Sequence, residues 1–394
     1  MRILVFADKI PTRRLGDGLR LFSLFRPLLG VHRFDLVCFG REGDALDDEF
    51  RRVFDQVTLL PMPAASRVGL PRRVINKMSL GEFKKSSAQM RHVLRSAIES
   101  GRYDLLFESG ANALLNLPDG PLPIPLIVDS IDEPLLRDLR ALLHVAWRKR
   151  PLLLHQAWMF WRYERALLRR ADMNIYASAV DARLYSRFFP GRPVAVVPIG
   201  VDVRYFSPLE RPPGPPTVVF EGNMNFGPNV DAAQRLVRDV LPHLEKLVPN
   251  VKVQLVGRDP LPEVNALASA RVQVTGTVDD VRPYLAGASV FACSMKLGSG
   301  MKNKILQAWA MGRPVVATTA SLGGITATDD LNLLVRDQPV EFAAAVASLI
   351  EDPLKAARLG AAGRMTVETE FSWERRAEQL DQLLHSVKPQ PTVH

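Results

Sequence analysis

The feature that most constrains this chain is the alternation of short apolar runs with helix-length segments from residue 217 onward. "TVVFEGNM" (Thr217–Met224) is a β-branched run that ends in a glycine turn, and "NVDAAQRLVRDVLPHLEKL" after it has the period of an amphipathic helix. "VKVQLVGRD" and "RVQVTGTV" read as strands, "VRPYLAGA" as a short helix and "SVFACSM" as a strand. "NKILQAWAMG" reads as a helix with a glycine stop, and "PVVAT" as a strand. Strands separated by helices of this length need right-handed crossovers, and these build a parallel sheet. The first half repeats the pattern in "RILVFAD", "FDLVCFG", "YDLLFES", "IPLIVDS" and "MNIYAS", runs apolar enough to be covered on both faces. Between the halves, "SPLERPPGPPT" has five prolines in eleven residues and reads as a stiff linker. With 394 residues, the chain has room for two domains. The expected class is α/β, with two doubly wound domains.

Composition excludes several alternatives. The two cysteines, Cys38 and Cys293, can build neither a disulfide framework nor a zinc cluster, which fits a reducing compartment. The opening "MRILVFADKI" lacks the apolar core of a secretion signal, and no stretch reaches the roughly 20 apolar residues that span a bilayer. The net charge of +9 is unevenly placed. Ser66–Arg95 and Arg140–Arg170 each hold eight Lys/Arg against one acid, +7 apiece, so the rest of the chain sums to −5. Two such segments in one half point to a polyanionic partner surface.

Three strand–turn–helix units could hold chemistry. Gly298–Gln307 follows the strand "SVFACSM", where open α/β sheets bind ligands. Its glycines allow close backbone approach, its helix start attracts negative charge, and Lys302 and Lys304 supply counter-charge. A phosphate site and a plain solvated loop stand about even on local physics. "FEGNMNFGPNVDAAQRL" offers Asn223, Asn225 and Asn229 for a pyrophosphate, or for ordinary turn chemistry with Asn229 as helix N-cap. "FADKIPTRRLGDGLRLFSL" places Arg13, Arg14 and Asp17 after the first strand. Acidic "VDD" and "IDE" are ordinary loop carboxylates, and no metal site is expected. In "ALLHVAWRKRPLLLHQAWMFWRYERALLRRAD", Leu154, Trp158, Trp161 and Leu168 fall on one helix face and Arg162, Arg165 and Arg169 on another. That is the pattern of an interfacial helix, or of a core helix with a solvated face.

In this order and spacing the segments resemble the retaining nucleotide-sugar glycosyltransferases of the GT-B fold, in the group 1 (family 4) branch that builds bacterial surface polysaccharides. "VAVVPIGVDVRYFSP" is similar to the family's hinge-side "V-x-V-I-P-N-G-V-D-x-x-x-F-x-P", and "GNMNFGPNVDA" to its "G-x-M-x-x-x-P-N-x-D-A". "LVGRDP" and "VTGTVDDVRPYLAGASV" resemble the nucleotide-side strands, and "GMKNKILQAWAMGRPVVAT" resembles "G-x-x-x-K-x-L-E-A-M-A-M-G-x-P-V-V-A-T". "FSWERRAEQL" is similar to the closing helix, which in that fold crosses back onto the first domain.

The resemblance implies two Rossmann-like domains facing a central cleft. It divides the chain into an acceptor-side domain at 1–206, a linker at 207–216, a donor-binding domain at 217–372 and a closing helix at 373–387. It places donor-binding residues at Gly222, Asn223, Asn225, Arg258, Thr277, Gly300, Met301, Lys302, Lys304 and Gln307. Gln307 stands where the family has a ribose-binding glutamate, and Ser299 where it has a second acid. Asp129 and Asp132 in "VDSIDEP" and Asp17 in the glycine loop beside Arg20 are the candidates near the reacting sugar; Asp17 and Asp132 are taken as catalytic.

The implied activity is transfer of a sugar from a UDP- or GDP-linked donor to a lipid-linked or glycan acceptor. Retention is expected, with no metal and no cofactor beyond the donor substrate. The implied location is the cytoplasmic face of an anionic membrane, with no nucleic-acid partner. A nucleotide-sugar epimerase of the same fold, a nucleic-acid-binding protein and a catalytically silent partner are the competing readings. The last is motivated by Gln307 and Ser299.

Overall fold

The structure is a computed structural model, described for residues 1–12, 16–41, 44, 46–63, 86–131, 147, 150–209, 214–296 and 303–388. The chain divides into two compact units, Met1–Pro198 with Arg376–His394, and Ile199–Arg375.

The first unit carries β1 (Arg2–Ala7), β2 (Arg33–Gly40), β3 (Gln56–Pro61), β4 (Leu105–Ser109), β5 (Leu126–Ile131), β6 (Met173–Tyr176) and β7 (Val194–Val196). They form one sheet in the order β3-β2-β1-β4-β5-β6-β7, parallel throughout. Phe6, Phe39, Phe107, Leu126, Tyr176 and Tyr185 are buried in its core. The helix Ala88–Glu99 starts at Ser87, whose side chain accepts the Met90 N–H, and it buries Met90, Leu94 and Ile98 at four-residue spacing. β3 is a strand that the pattern did not signal. It lies at the sheet edge with only Leu60 buried, so it never shows a continuous apolar run.

The second unit carries β8 (Thr217–Glu221), β9 (Lys252–Val256), β10 (Val272–Val274), β11 (Val290–Cys293), β12 (Val315–Ala317) and β13 (Leu334–Val335). Their order is β10-β9-β8-β11-β12-β13, again all parallel. In both sheets the winding direction reverses beside the first strand, between β1 and β4 and between β8 and β11. The carboxyl edge at such a reversal is where doubly wound sheets leave a crevice. Where one helix was expected over 229–247, the helix Gly227–Arg235 passes through a π turn at Leu236–Val240 into Leu241–Leu247. Pro242 has no N–H for a continuous helix and sits instead in the first turn of the last segment. The helices Asn303–Ala310 and Pro353–Thr366 meet at Gly363, where a Cβ would lie 2.3 Å from the buried Trp309 ring.

The unit boundaries differ from the expected 206 and 372. Val201 donates its N–H to the Phe371 carbonyl at 2.8 Å, and the Arg364 guanidinium donates to the carbonyls of Val203 (3.1 Å) and Phe206 (2.8 Å). Residues 199–206 are therefore tied to the second unit. The helix Trp373–Ser386 begins in the second unit and belongs to the first from Arg376. There Gln379 Nε2 donates to the Val196 carbonyl at 2.7 Å, and His32 Nε2 lies 2.6 Å from Asp381 Oδ1.

Candidate functional site

The site is built at the carboxyl edge of the second sheet, beside the β8–β11 reversal. β8 delivers Phe220 and Glu221 and then turns at Gly222, whose N–H is held by the Val256 carbonyl at 2.9 Å. The turn admits no side chain. A Cβ on Gly222 would stand 2.7 Å from Asn229 Nδ2 and 2.9 Å from Lys304 Nζ. A Cβ on Gly257, at φ +148°, would stand 1.8 Å from the Gly222 carbonyl oxygen. Two glycines on neighbouring strands thus let backbone pack where side chains would fill the edge.

Asn229 lies inside the first turn of its helix and is buried; the N-cap is Phe226, so capping is not its role. Its Nδ2 donates to the Asn223 carbonyl at 2.9 Å, and its Oδ1 accepts from Lys304 Nζ at 2.7 Å. The Lys304 ammonium also sits 4.5 Å over the Phe220 ring. Burial pushes the pKa of Lys304 down, opposed by Cys293 and Glu221 nearby. Burial pushes the Glu221 carboxyl up to about 7, against the downward pull of Lys304. The site therefore holds a cation and an acid that share one poorly solvated edge.

A polar network fixes where the chain leaves β11. Ser294 Oγ donates to the Ala232 carbonyl and Ser321 Oγ to the Cys293 carbonyl, each at 2.8 Å. Thr318 Oγ1 donates to the Met295 carbonyl at 2.5 Å. All three hydroxyl residues are buried, so their hydrogen bonds satisfy groups that would otherwise be costly.

Of the residues named from sequence, Gly222, Asn223 and Lys304 are brought together by Asn229. Gln307 is half-buried on the same helix, three residues beyond Lys304 and so on the same side. Asn225 is exposed, with its N–H turned to Asn223 Oδ1 at 3.3 Å. The Arg258 side chain is exposed, 3.9 Å from Asp259, while its carbonyl accepts the Met224 N–H at 2.9 Å. Thr277 is exposed in the loop after β10. Gly300, Met301, Lys302, Ser299 and Asp132 lie outside the described residues. Glu221 was missed: an acid at a strand end reads as the first polar residue of a turn, yet it is buried, paired in register with Val256 of β9.

At the matching edge of the first sheet, Asp129 is fully committed. Arg20 donates to both its oxygens, Nε to Oδ2 at 2.8 Å and Nη2 to Oδ1 at 3.1 Å, and both side chains are buried. Arg20 Nη1 also donates to the Pro198 carbonyl at 3.3 Å. Asp129 is thus no free acid or base. Glu108, buried at the end of β4, accepts the N–H groups of Ala111, Asn112 and Ala113 and holds that loop, where Ala111 has φ +57°. Asp17 starts the helix Gly16–Phe25 and pairs with Lys9 at 2.7 Å.

The tryptophan helix Arg150–Leu167 does not present one uniform face. Leu168 just beyond it is buried and Trp161 packs on the core, whereas Leu154 and Trp158 are exposed. Arg162 stacks 4.8 Å over the Trp158 ring, and Trp147 is 72% exposed. Most of the first basic segment lies outside the described residues. Among the described residues no helix is long and apolar enough to cross a membrane. His32, Asp381 and His385 bring ligand-type atoms within 4.8 Å of one another. The 2.6 Å between His32 and Asp381 is shorter than the roughly 3.3 Å that two ligands keep on a tetrahedral ion. They read as a hydrogen-bonded pair.

Residues 215–352 match the family described as Glycosyl transferases group 1. The chain is 28% identical over 237 residues to the GDP-mannose-dependent monoacylated alpha-(1-6)-phosphatidylinositol monomannoside mannosyltransferase of Corynebacterium glutamicum. That alignment takes in 55% of this chain and 62% of the relative, so the chain spans less than two thirds of the relative's length. Among solved structures, sucrose-phosphate synthase of Thermosynechococcus elongatus has a TM-score of 0.68 at 16% identity, over 98% of both chains. Anabaena Alr3699/HepE, solved with UDP and glucose, has a TM-score of 0.65 at 18% identity, over 98% of this chain and 99% of that one. The chain therefore has the GT-B fold, and its residues 215–352 are a group 1 glycosyltransferase domain.

Proposed function

We propose that the protein is a glycosyltransferase that moves a hexose from a nucleotide diphosphate donor to a lipid-linked or glycan acceptor, with retention. The observation that carries this is the Lys304 ammonium at the β8–β11 edge. It is anchored by Asn229 and Phe220, and an ammonium has three donors, of which Asn229 takes one. A diphosphate placed there meets a positioned charge in a poorly solvated setting, where that charge acts most strongly on the departing phosphate. Gln307, one turn on, both donates and accepts hydrogen bonds and suits a ribose diol. Asp17 and Asp132 are assigned to the acceptor side. The reading needs no cofactor beyond the donor.

GDP-mannose is the first donor to try, because the Corynebacterium relative is named for it; UDP-glucose is the second, because the Anabaena structure holds UDP and glucose. The exposed Trp147, Trp158 and Leu154 among basic residues support docking on the cytoplasmic, anionic face of a membrane, where lipid-linked acceptors reside.

The test is calorimetric binding of GDP and UDP to wild type and Lys304→Ala. Loss of a charge-assisted hydrogen bond should weaken the better ligand roughly 10- to 100-fold. Equal affinity in the two proteins overturns the assignment.

A further inference from the structure

Phe226, in the turn after β8, is an aromatic side chain beside the Lys304 site that the proposed chemistry does not use. It is 57% exposed and stands outside the core of the second unit. Its ring makes no stacking or cation contact among the described residues, whereas Tyr205, the other exposed aromatic of this unit, lies under the Arg282 guanidinium at 3.8 Å. The backbone beneath the ring is fixed. The Phe226 N–H donates to the Asn223 carbonyl at 3.2 Å, and the Phe226 carbonyl accepts the N–H groups of Asn229 at 2.8 Å and Val230 at 3.1 Å. The same turn is tied to the loop after β9, where Met224 donates to the Arg258 carbonyl at 2.9 Å and accepts from the Leu261 N–H at 3.3 Å. The space in front is open: a Cβ on the next residue, Gly227, would meet nothing within 4 Å. Exposed apolar residues taken singly are ordinary, so it is the place of this one that matters. The helices Gly227–Arg235 and Asn303–Ala310 both start at the carboxyl edge and run back along the sheet. Asn229 and Lys304, in their first turns, meet at 2.7 Å. Gln307 lies three residues further along one helix, and Phe226 three residues back at the start of the other. The two residues therefore flank the Lys304–Asn229 bond on opposite sides.

We propose that Phe226 is the platform on which the hexose of the donor lies, and so a residue that determines which sugar is accepted. The proposal rests on the reading of Lys304 as the diphosphate ligand and of Gln307 as the ribose ligand. In a nucleotide sugar the nucleoside and the hexose leave opposite ends of the diphosphate. With the ribose at Gln307, the hexose falls at the Phe226 end. One face of a pyranose presents C–H groups, and the face of a phenyl ring is its electron-rich side, so the two are complementary. Covering the ring removes apolar surface from water, and a backbone already fixed keeps the ordering cost low. The Asn223 and Asn225 amides of the same turn suit the sugar hydroxyls, since each amide both donates and accepts. A hydroxyl standing on the stacked face lifts the sugar off the ring. The residue therefore reads the configuration of the hexose as well as its presence.

The experiment is titration calorimetry of GDP, GDP-mannose, UDP and UDP-glucose on wild type, Phe226→Ala and Phe226→Tyr. The quantity read is the dissociation constant of the nucleotide diphosphate divided by that of its sugar, for the better-bound pair. Phe226→Ala should lower this ratio roughly 3- to 10-fold, the worth of one aromatic face contact. GDP and UDP themselves should bind that variant as they bind wild type, which also shows that it is folded. Phe226→Tyr keeps the ring and should keep the ratio. An unchanged ratio in Phe226→Ala overturns the proposal and leaves the Lys304 site intact. Equal weakening of the diphosphate and its sugar also overturns it, because the ring would then serve the nucleoside. If Lys304→Ala binds GDP and UDP as tightly as wild type, the site assignment fails and this inference fails with it.

Discussion

The buried Arg20–Asp129 pair yields a sharp energetic test. Replacing Arg20 by Met keeps the bulk of the side chain but removes three hydrogen bonds, two to Asp129 at 2.8 and 3.1 Å and one to the Pro198 carbonyl at 3.3 Å. Asp129 is left with its side chain 2% exposed and no opposing charge. Breaking a buried pair from one side costs about 3–5 kcal/mol, mostly as the penalty on the abandoned charge. Replacing both partners, Arg20→Met with Asp129→Leu, removes both desolvation penalties, so the double variant should lie within about 1 kcal/mol of wild type or above it. The cycle should therefore show a coupling of at least about 3 kcal/mol. The assay is urea unfolding of wild type, the two single variants and the double variant. Fluorescence reports on both units, because Trp147, Trp158 and Trp161 lie in the first and Trp309 and Trp373 in the second. With a denaturant slope of about 2–3 kcal/mol/M, the single variant's first-unit midpoint should fall by roughly 1–2 M. A single-variant loss under about 1 kcal/mol would mean that water or another donor reaches Asp129, and the reasoning would be refuted.

Further predictions follow from other residues. Gly257→Ala drives a Cβ into the Gly222 carbonyl at a φ that side chains avoid, and should cost on the order of 4 kcal/mol; a thermal midpoint within a degree or two of wild type would contradict this. Glu221→Gln should stabilise the second unit in a pH-dependent way. The carboxyl's folded pKa is raised, so its destabilisation is absent below about 4.5, grows as pH rises and levels off above about 7 at about 3 kcal/mol. Unfolding free energies of the two proteins that run parallel from pH 4 to 8 would rule this out. Asp17→Ala should depress turnover far more than donor affinity; unchanged turnover would remove Asp17 from the acceptor side. Flotation should need anionic vesicles and weaken as salt rises, and equal flotation on neutral vesicles would eliminate the electrostatic argument.

The sequence was most legible where strands are covered on both faces. β8, β9, β11 and β12 are short apolar runs bounded by turns, and each was found as one. β3 escaped because an edge strand need not be apolar, and β13 because two residues make no pattern. Lys304 was legible because a glycine turn, a cation and a helix start lie together in sequence. Its anchor Asn229 is 75 residues away, and the role of that side chain is set by tertiary contact. Asp129 was named only as a candidate near the reacting sugar, and its pairing was hidden for the same reason, since its partner Arg20 is 109 residues distant. The tryptophan helix shows the limit of periodicity. Spacing placed Trp158 and Trp161 on one side, but that side is wider than the surface that covers it, so one ring packs inward and the other faces out.

The division of the helix Trp373–Ser386 between the two units has a consequence for the order of synthesis. Ala377, Leu380 and Leu384 are buried and belong to the first unit, yet they emerge only after all of Ile199–Arg375. The second unit is in effect an insertion within the first. At about 5–20 residues per second, the roughly 180 inserted residues take on the order of 10 to 35 s to make. During that interval the nascent first unit stands open where Gln379 and Asp381 will dock on Val196 and His32. The inserted unit is contiguous and is finished earlier, so the part of the molecule begun first is the part completed last.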